Sequence, residues 1–338
     1  MKGLCGVNCS KCLIRSYCGG CSMCEASLCN KKCESCFSLC PERKGLFFHL
    51  NSIGGLDLDP ESNLSTHFIL PIHIPIVPDK VKTKITKEKL PVVSIHAGKM
   101  FSRNGVKINK SYLNKGFQHA LNLDKYTKGI LEFYVKDRTL EGFWDNRHFI
   151  YSGLKQMGFK AIISPNFSVY SDAPRMDHLY NMKRSEIVYN EMINEGLEVI
   201  PDISWYNKID LDRWCKAITK NNIKTIAFSF QVVGVRLKAS TVWKSFILGF
   251  RYLCENIPRD VSIVVAGIVS KKRVEKLFQA SNGQSIHILN QSAYVQSRRA
   301  VISETRKQNK KLTFDEIFLK NKDYFDKTYT ELKGKYNP

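Results

Sequence analysis

The chain has 338 residues, of which 43% are hydrophobic, and carries a formal net charge of +21. That length and apolar content provide for at least one large core and exclude a chain that is disordered throughout. No apolar run of about 18 residues is present to cross a membrane, and the opening Met1-Lys2-Gly3-Leu4-Cys5 lacks the stretch of a secretory signal.

These features predict a cytoplasmic protein with no membrane partner and with an anionic one. Nucleic acid is the usual polyanion, because each neutralised phosphate releases counterions. A lysine-rich surface without a specific partner is the plainer alternative.

The first predicted unit is a cysteine-rich module over residues 1–45. Cys5, Cys9, Cys12, Cys18, Cys21, Cys24, Cys29, Cys33, Cys36 and Cys40 account for ten of the twelve cysteines. Repeated two-residue gaps let successive thiolates turn toward one metal centre, whereas a structural disulfide usually closes a longer loop. The run Cys18-x-x-Cys21-x-x-Cys24 and the ending Cys33-x-x-Cys36-x-x-x-Cys40-Pro41 fit an iron–sulfur cluster, a 4Fe–4S cluster foremost. Zinc is the alternative, filling two four-thiolate sites with two cysteines left over. A disulfide knot needs an oxidising compartment, for which no secretory signal argues. Cys5-x-x-x-Cys9-x-x-Cys12 also has the spacing of radical S-adenosylmethionine enzymes, but no strand precedes it and Lys11 stands where an aromatic is usual. The segment from Cys5 to Cys12, with Cys18-Gly19-Gly20-Cys21, resembles a small uncharacterised cysteine-rich bacterial family, which implies no activity.

Residues 46–90 read as a linker or strap. Leu70-Pro71-Ile72-His73-Ile74-Pro75-Ile76-Val77-Pro78 is punctuated by prolines that each remove a ladder donor, and a lysine-rich run follows from Lys80 to Lys89.

Residues 91–300 alternate strand-length apolar runs with segments of helical period. The expected strands are Val92 to His96, Ile130 to Val135, Ala161 to Ser164, Glu198 to Ile203, Thr225 to Phe230, Ser262 to Ala266 and Ile286 to Leu289. The expected helices are Arg175 to Glu195, Leu211 to Asn221, Val242 to Asn256 and Lys271 to Ser281. Gly158, Gly196 and Gly283 each stop a segment before a strand. Repeated strand–helix units imply an α/β fold with a parallel sheet: a (β/α)8-like barrel, or alternatively an open doubly wound sheet. Residues 301–338 form a basic helical tail. Phe314, Ile317, Phe318 and Phe325 supply an apolar face that closes the domain, or else Phe314, Phe318, Tyr324, Phe325 and Tyr329 stack on bases between basic side chains.

In either architecture ligands meet the carboxyl ends of the strands, and the residues there are polar. Asp172 and Asp202 offer carboxylates for proton transfer, Asn166 can orient a substrate, and His96 can act as a general base. Asp172 as a helix cap and His96 as a hydrogen-bonded structural histidine are the plainer readings. Asp137, after Lys136, also ends a strand. Arg236 can meet phosphate, as can Lys271 and Lys272, where a Gly267 turn runs into a basic helix start; a tight turn with a Ser270 cap explains the latter equally well. No nucleophile elbow, P-loop, HExxH or dinucleotide glycine motif is present, which argues against the enzyme classes that carry them.

Ile163-Ser164-Pro165-Asn166-Phe167-Ser168-Val169-Tyr170-Ser171-Asp172-Ala173-Pro174, Tyr180 to Arg184 and Glu198 to Trp205 resemble a domain family of unknown function found in bacteria, phages and other mobile elements. The likeness covers residues 125–300; many members carry threonine where this chain has Asp202. It implies a mobile-element context and a site around Asn166, Ser168, Asp172, Asn181, Arg184, Ser204 and Trp205.

Three functions remain open. The first is a metal-cluster-bearing enzyme acting on nucleic acid or a nucleotide-derived substrate. The second is an iron–sulfur redox or radical enzyme for a small anionic metabolite. The third is a non-catalytic, zinc-stabilised nucleic-acid-binding protein.

Overall fold

A computed structural model describes residues 7–18, 44–63, 69–170, 173–231 and 241–336. The N-terminal elements are a 3-10 turn at Cys9–Lys11, α1 at Arg15–Cys18 and α2 at Lys44–Ser52. Next come β1 (His73–Pro75), β2 (Val92–His96), α3 (Ala97–Met100), α4 (Lys110–Leu121), β3 (Lys128–Glu132) and α5 (Asp137–Gln156). β4 (Ala161–Ile163), α6 (Arg175–Asn194), β5 (Val199–Ile200), α7 (Lys208–Lys220), β6 (Thr225–Ser229) and α8 (Thr241–Asn256) follow. The chain ends with β7 (Ser262–Ala266), α9 (Lys271–Ala280), β8 (Ile286–Asn290), α10 (Ser292–Arg298) and α11 (Phe314–Tyr336).

The strands pair in parallel as β2-β3-β4-β5 and as β6-β7-β8-β1. Single parallel bridges, Ile76 to Ser94 and Asp202 to Ala227, join the two halves at both seams. The result is a closed eight-stranded barrel ringed by helices, so the barrel alternative holds and the open sheet does not. Ile74, Ile130, Ile163, Ile200, Val264 and Leu289 fill its interior. The opposite strand faces pack on the helices, with Tyr151, Tyr189, Trp214 and Phe250 among the largest buried side chains.

Seven of the eight strands lie where the apolar runs predict them, with ends shifted by up to a few residues. The eighth, β1, comes from the proline-punctuated stretch expected to be strap. Its geometry explains how a proline-rich segment enters a barrel. Ile76 donates to Asn290 on the β8 side and Val77 to Ser94 on the β2 side, so alternation turns the missing donor of Pro75 toward β2. That is the side where β1 pairs through one bridge only. No helix links β1 to β2; instead the segment between them buries Val81, Ile85 and Leu90.

α7 starts at Lys208, earlier than its apolar period suggests, because Asn207 and Asp210 form a capping box there. α4 and α5 escape the sequence reading: Gly116 sits at φ 75 within α4, and Gly142 and Gly153 interrupt the apolar period of α5. In α11, Ile317, Phe318 and Phe325 are buried, which is the domain-closing face.

The described part of residues 44–63 lies along α6. Phe47 and Leu50 of α2 pack with Ile14 against Met176 and Leu179. Further on, the Lys183 ammonium donates to the Asp57 carbonyl, the Tyr189 hydroxyl to the Glu61 carbonyl, and the Asn63 amide to the Thr225 carbonyl at the base of β6.

Candidate active site at the barrel mouth

Side-chain alternation carries the inward face from the apolar interior up to the strand ends. Val92 is followed by Ser94 and His96, Ile130 by Glu132 and Tyr134, and Ile200 by Asp202. The last inward positions of three strands in one half of the barrel are therefore ionisable. Above them opens a cavity of about 160 Å³, lined in part by Tyr134, Asn166, Ser168, Ser204, Trp205 and Gln231.

Asp202 is 1% exposed. Its Oδ2 accepts from the Asn166 amide at 2.9 Å, while Oδ1 completes no hydrogen bond. Burial raises its pKa to about 7, against the opposing pull of Asn166 and Tyr134 and with help from the charge of Glu132. The Tyr134 hydroxyl is likewise buried without a completed hydrogen bond. Burial above all, and then the nearby Asp202 and Glu132 carboxylates, hold it protonated.

Glu132 and His96 form the second couple. His96 Nδ1 lies 2.6 Å from Glu132 Oε1, and Glu132 Oε2 accepts the Tyr134 backbone N–H at 2.8 Å. Burial raises the Glu132 pKa and outweighs the stabilising effect of His96. For His96, burial works downward, but the hydrogen bond and charge of Glu132 prevail and the net shift is upward. Both shifts favour holding a proton on the pair. The His96 side chain is 30% exposed, against 3% for Glu132, so His96 connects the buried carboxylate to solvent.

The cavity walls are aromatic and precisely backed. Trp205 packs against Phe246, ring centroids 5.1 Å apart, and lies over Gly249, where a Cβ would come within 2.5 Å of its ring. The Trp214 indole donates to the Ser204 carbonyl at 2.9 Å and fixes the turn that presents Trp205. The Ser204 hydroxyl is buried without a partner.

Arg184 and Asn181 support the site from behind. Arg184 is bidentate to Glu141 and lies over the Phe167 ring at 4.0 Å; it also donates to Asn181, whose amide holds the Ser168 carbonyl at 2.6 Å. Asp137, the first residue of α5, accepts from the Ser168 and Tyr170 hydroxyls, fastening the β4–α6 loop to the start of α5.

Of the residues singled out in the sequence, Asn166, Ser168, Ser204 and Trp205 line the cavity, Asp202 lies under it and His96 beside it. Lys271 and Lys272 are exposed at the start of α9 and are not among the lining residues; Ser270 precedes them without a side-chain cap bond. Asp172, Arg236 and Cys5, Cys21, Cys24, Cys29, Cys33, Cys36 and Cys40 lie outside the described residues, as does the side chain of Cys18. Glu132 and Tyr134 went unread. Their signal was available: a lone carboxylate two residues beyond inward-facing Ile130, inside an otherwise apolar run.

Cys9 and Cys12 are free and partly exposed, and Cys12 Sγ accepts from the Asn51 amide at 3.6 Å. Among the described residues no three His, Cys, Asp or Glu side chains converge as metal ligands, and no helix is long and apolar enough to cross a membrane. Cys215 and Cys254 are buried, and burial pushes both thiols up, Cys215 to about 11.

Fold and site together describe a (β/α)8 barrel with ionisable groups gathered at the carboxyl ends of its strands. Residues 106–284 match a family described as a domain of unknown function, DUF4417, and the chain belongs to that family. It is also similar to the Gene 1 protein of Mycobacterium phage L5, 32% identical over 77 residues, which is 23% of this chain and 33% of the phage protein. The chain thus matches only a third of that relative's length. Among solved structures it is similar to the YdjI aldolase from Escherichia coli K12, at 11% identity and a TM-score of 0.42 over 78% of this chain and 90% of that one. A designed cube-shaped, highly porous protein cage is similar at 14% identity and a TM-score of 0.39, over 79% of this chain and 75% of that one. Both are too distant to bear on chemistry.

Proposed function

We propose that this chain is an enzyme that performs general acid–base chemistry at the barrel mouth on nucleic acid or a nucleotide-derived substrate. The observation that carries the proposal is Asp202: a carboxyl buried directly beneath the cavity, with a pKa of about 7. A group that titrates near neutrality can both give and take a proton at working pH. A structural carboxylate paired with a cation would be driven the other way. Asp202 reaches the cavity through Tyr134 and Asn166, which both border it. His96 and Glu132 provide a second proton-holding couple with a path to water.

The cavity favours a flat unsaturated ring. Trp205, Phe246 and Phe133 give aromatic faces, and Asn166, Gln231 and the serine hydroxyls give donors and acceptors at the edges. That combination suits a nucleobase, which stacks by its face and hydrogen-bonds by its rim. The phage relative is in keeping with a mobile-element setting.

The cysteine segment is proposed to hold an iron–sulfur cluster, with zinc the alternative. The amide donated to Cys12 Sγ supports this reading, since N–H bonds to cysteine sulfur tune such centres. Anaerobic purification with metal analysis distinguishes the two: a cluster absorbs broadly near ~400 nm and fades in Cys18→Ala/Cys21→Ala, whereas zinc leaves the protein colourless.

The catalytic proposal is tested by calorimetric titration with free bases, nucleosides and nucleotides from pH 5 to 9. Binding of at least one ring, with an affinity that changes across a midpoint near 7 and loses that midpoint in Asp202→Asn, is the expected result. Binding with no such midpoint, or no binding by any of them, contradicts it.

A further inference from the structure

A second cavity, of about 350 Å³, lies outside the mouth, along α4 where that helix meets the segment after β1. Lys80, Lys110, Lys115 and His119 line it, with Ser111 and Asn114, and no carboxylate does. Its position follows from the chain path. Lys80 stands just beyond the carboxyl end of β1, while β2 runs straight into α3 and on to α4, whose first residue is Lys110. The Asp79–Lys99 ion pair at 3.2 Å and the bond from the Asn109 amide to the Lys99 carbonyl at 2.7 Å hold these pieces together.

The chain around it is also mostly basic: residues 80 to 115 carry ten lysine and arginine side chains and one carboxylate, Glu88, although Lys87 and Glu88 line another cavity at the amino ends of β2 and β3 and Asp79 pairs with Lys99 nearby. A solubilising surface would intersperse both signs. The cavity gathers Lys80, Lys110, Lys115 and His119 beside the exposed Ser111 and Asn114, basic side chains that repel one another unless an anion is present. The opening turn of α4 adds its backbone N–H groups to the same field.

We infer that this face binds the sugar–phosphate backbone of a single-stranded polynucleotide. Regularly spaced phosphates match a strip of lysines that a single small anion would leave mostly unneutralised, and Ser111 and Asn114 supply the neutral contacts that accompany such backbones. A strand held here passes the β2 and β3 ends, where His96 and Glu132 sit, on its way to the mouth. Only this last step rests on the proposed function; binding on the face stands without it.

The test is fluorescence anisotropy of a labelled single-stranded DNA of about 20 nucleotides against the full chain and Lys80→Glu/Lys110→Glu/Lys115→Glu, at NaCl from about 50 to 200 mM. These exposed side chains are replaceable without loss of the core, which circular dichroism checks, and a Gln triple variant separates lost contact from added repulsion. The expected result is a loss of tenfold or more, with the slope of log affinity against log salt falling by about 2, as three fewer phosphate contacts on a single strand require. Wild-type affinity in both triple variants, or no binding by the wild type, overturns the inference. So does equal competition by poly-glutamate of matched charge, which would make the face a surface for acidic protein. Asp202→Asn is measured alongside: unchanged strand binding there, with the nucleobase titration failing, removes the mouth reading and leaves the face intact.

Discussion

The two halves of the barrel share one backbone plan and differ in what they bury at the mouth. β2 to β5 end on His96, Glu132 and, just past β5, Asp202. β6 to β1 reach the same level with Ser229, Ala266, Leu289 and Ile76, none of them ionisable. Burying a carboxyl in an apolar setting is costly unless a cation meets it, and the second half avoids that cost entirely. The first half accepts it twice, at Glu132 with a histidine partner and at Asp202 with only neutral ones. A fold that needed nothing but stability would resemble its own second half. Under the proposed function, β2 to β5 are the working side and β6 to β1 the frame.

The sharpest way to break that contrast is to truncate the frame. Leu289→Ala, on β8 inside the barrel and 1% exposed, is expected to lose about 3–4 kcal/mol by urea unfolding while leaving mouth-ligand binding unchanged. Asp202→Asn is expected to act in the opposite direction. Because the folded protein holds this carboxyl protonated up to about pH 7, its contribution to stability is fully present below the ordinary carboxyl pKa near 4 and is lost as pH rises through 7. At pH 8 the amide variant is thus the more stable, by up to about 4 kcal/mol, and the gap closes as the melts are repeated toward pH 4. A working side that grows more stable when disarmed, beside a frame that collapses when trimmed, is the signature of the proposed division.

Smaller effects refine it. Gly249→Ala puts a Cβ 2.5 Å from the Trp205 ring; about 1–2 kcal/mol of destabilisation is expected from the forced shift, together with weaker binding of any ring that stacks on Trp205. Ser168→Ala removes the bond to Asp137 but leaves the backbone hold of Asn181, so about 1 kcal/mol or less is expected in a thermal melt.

How much was readable beforehand follows the same division. The apolar runs of β2 to β8 announce the strands because a barrel strand is buried on both faces and leaves little room for polar residues. β1 was hidden because its prolines speak against a central strand, and only the pairing partners reveal that their missing donors turn toward a seam. Asn166, Asp202 and Trp205 were legible as polar or aromatic residues just past a strand end. Glu132 was not, since it lies inside a run read as uniformly apolar, and its meaning depends on the His96 of the neighbouring strand. Arg184 looked like a ligand-binding cation; its pairing with Glu141 and Phe167 is set by α5, an element whose glycines blur its helical period.

The proposed chemistry requires Asp202 to change charge near neutrality under the mouth. Carbon-13 carboxyl NMR of aspartate-labelled protein, with Asp202→Asn to assign the resonance, measures that charge directly as pH is varied from 3 to 9. A midpoint near 7 is the predicted result. An Asp202 resonance that titrates near 4, as an exposed aspartate does, would contradict the account and leave the mouth of this barrel without a proton-transferring group at that position.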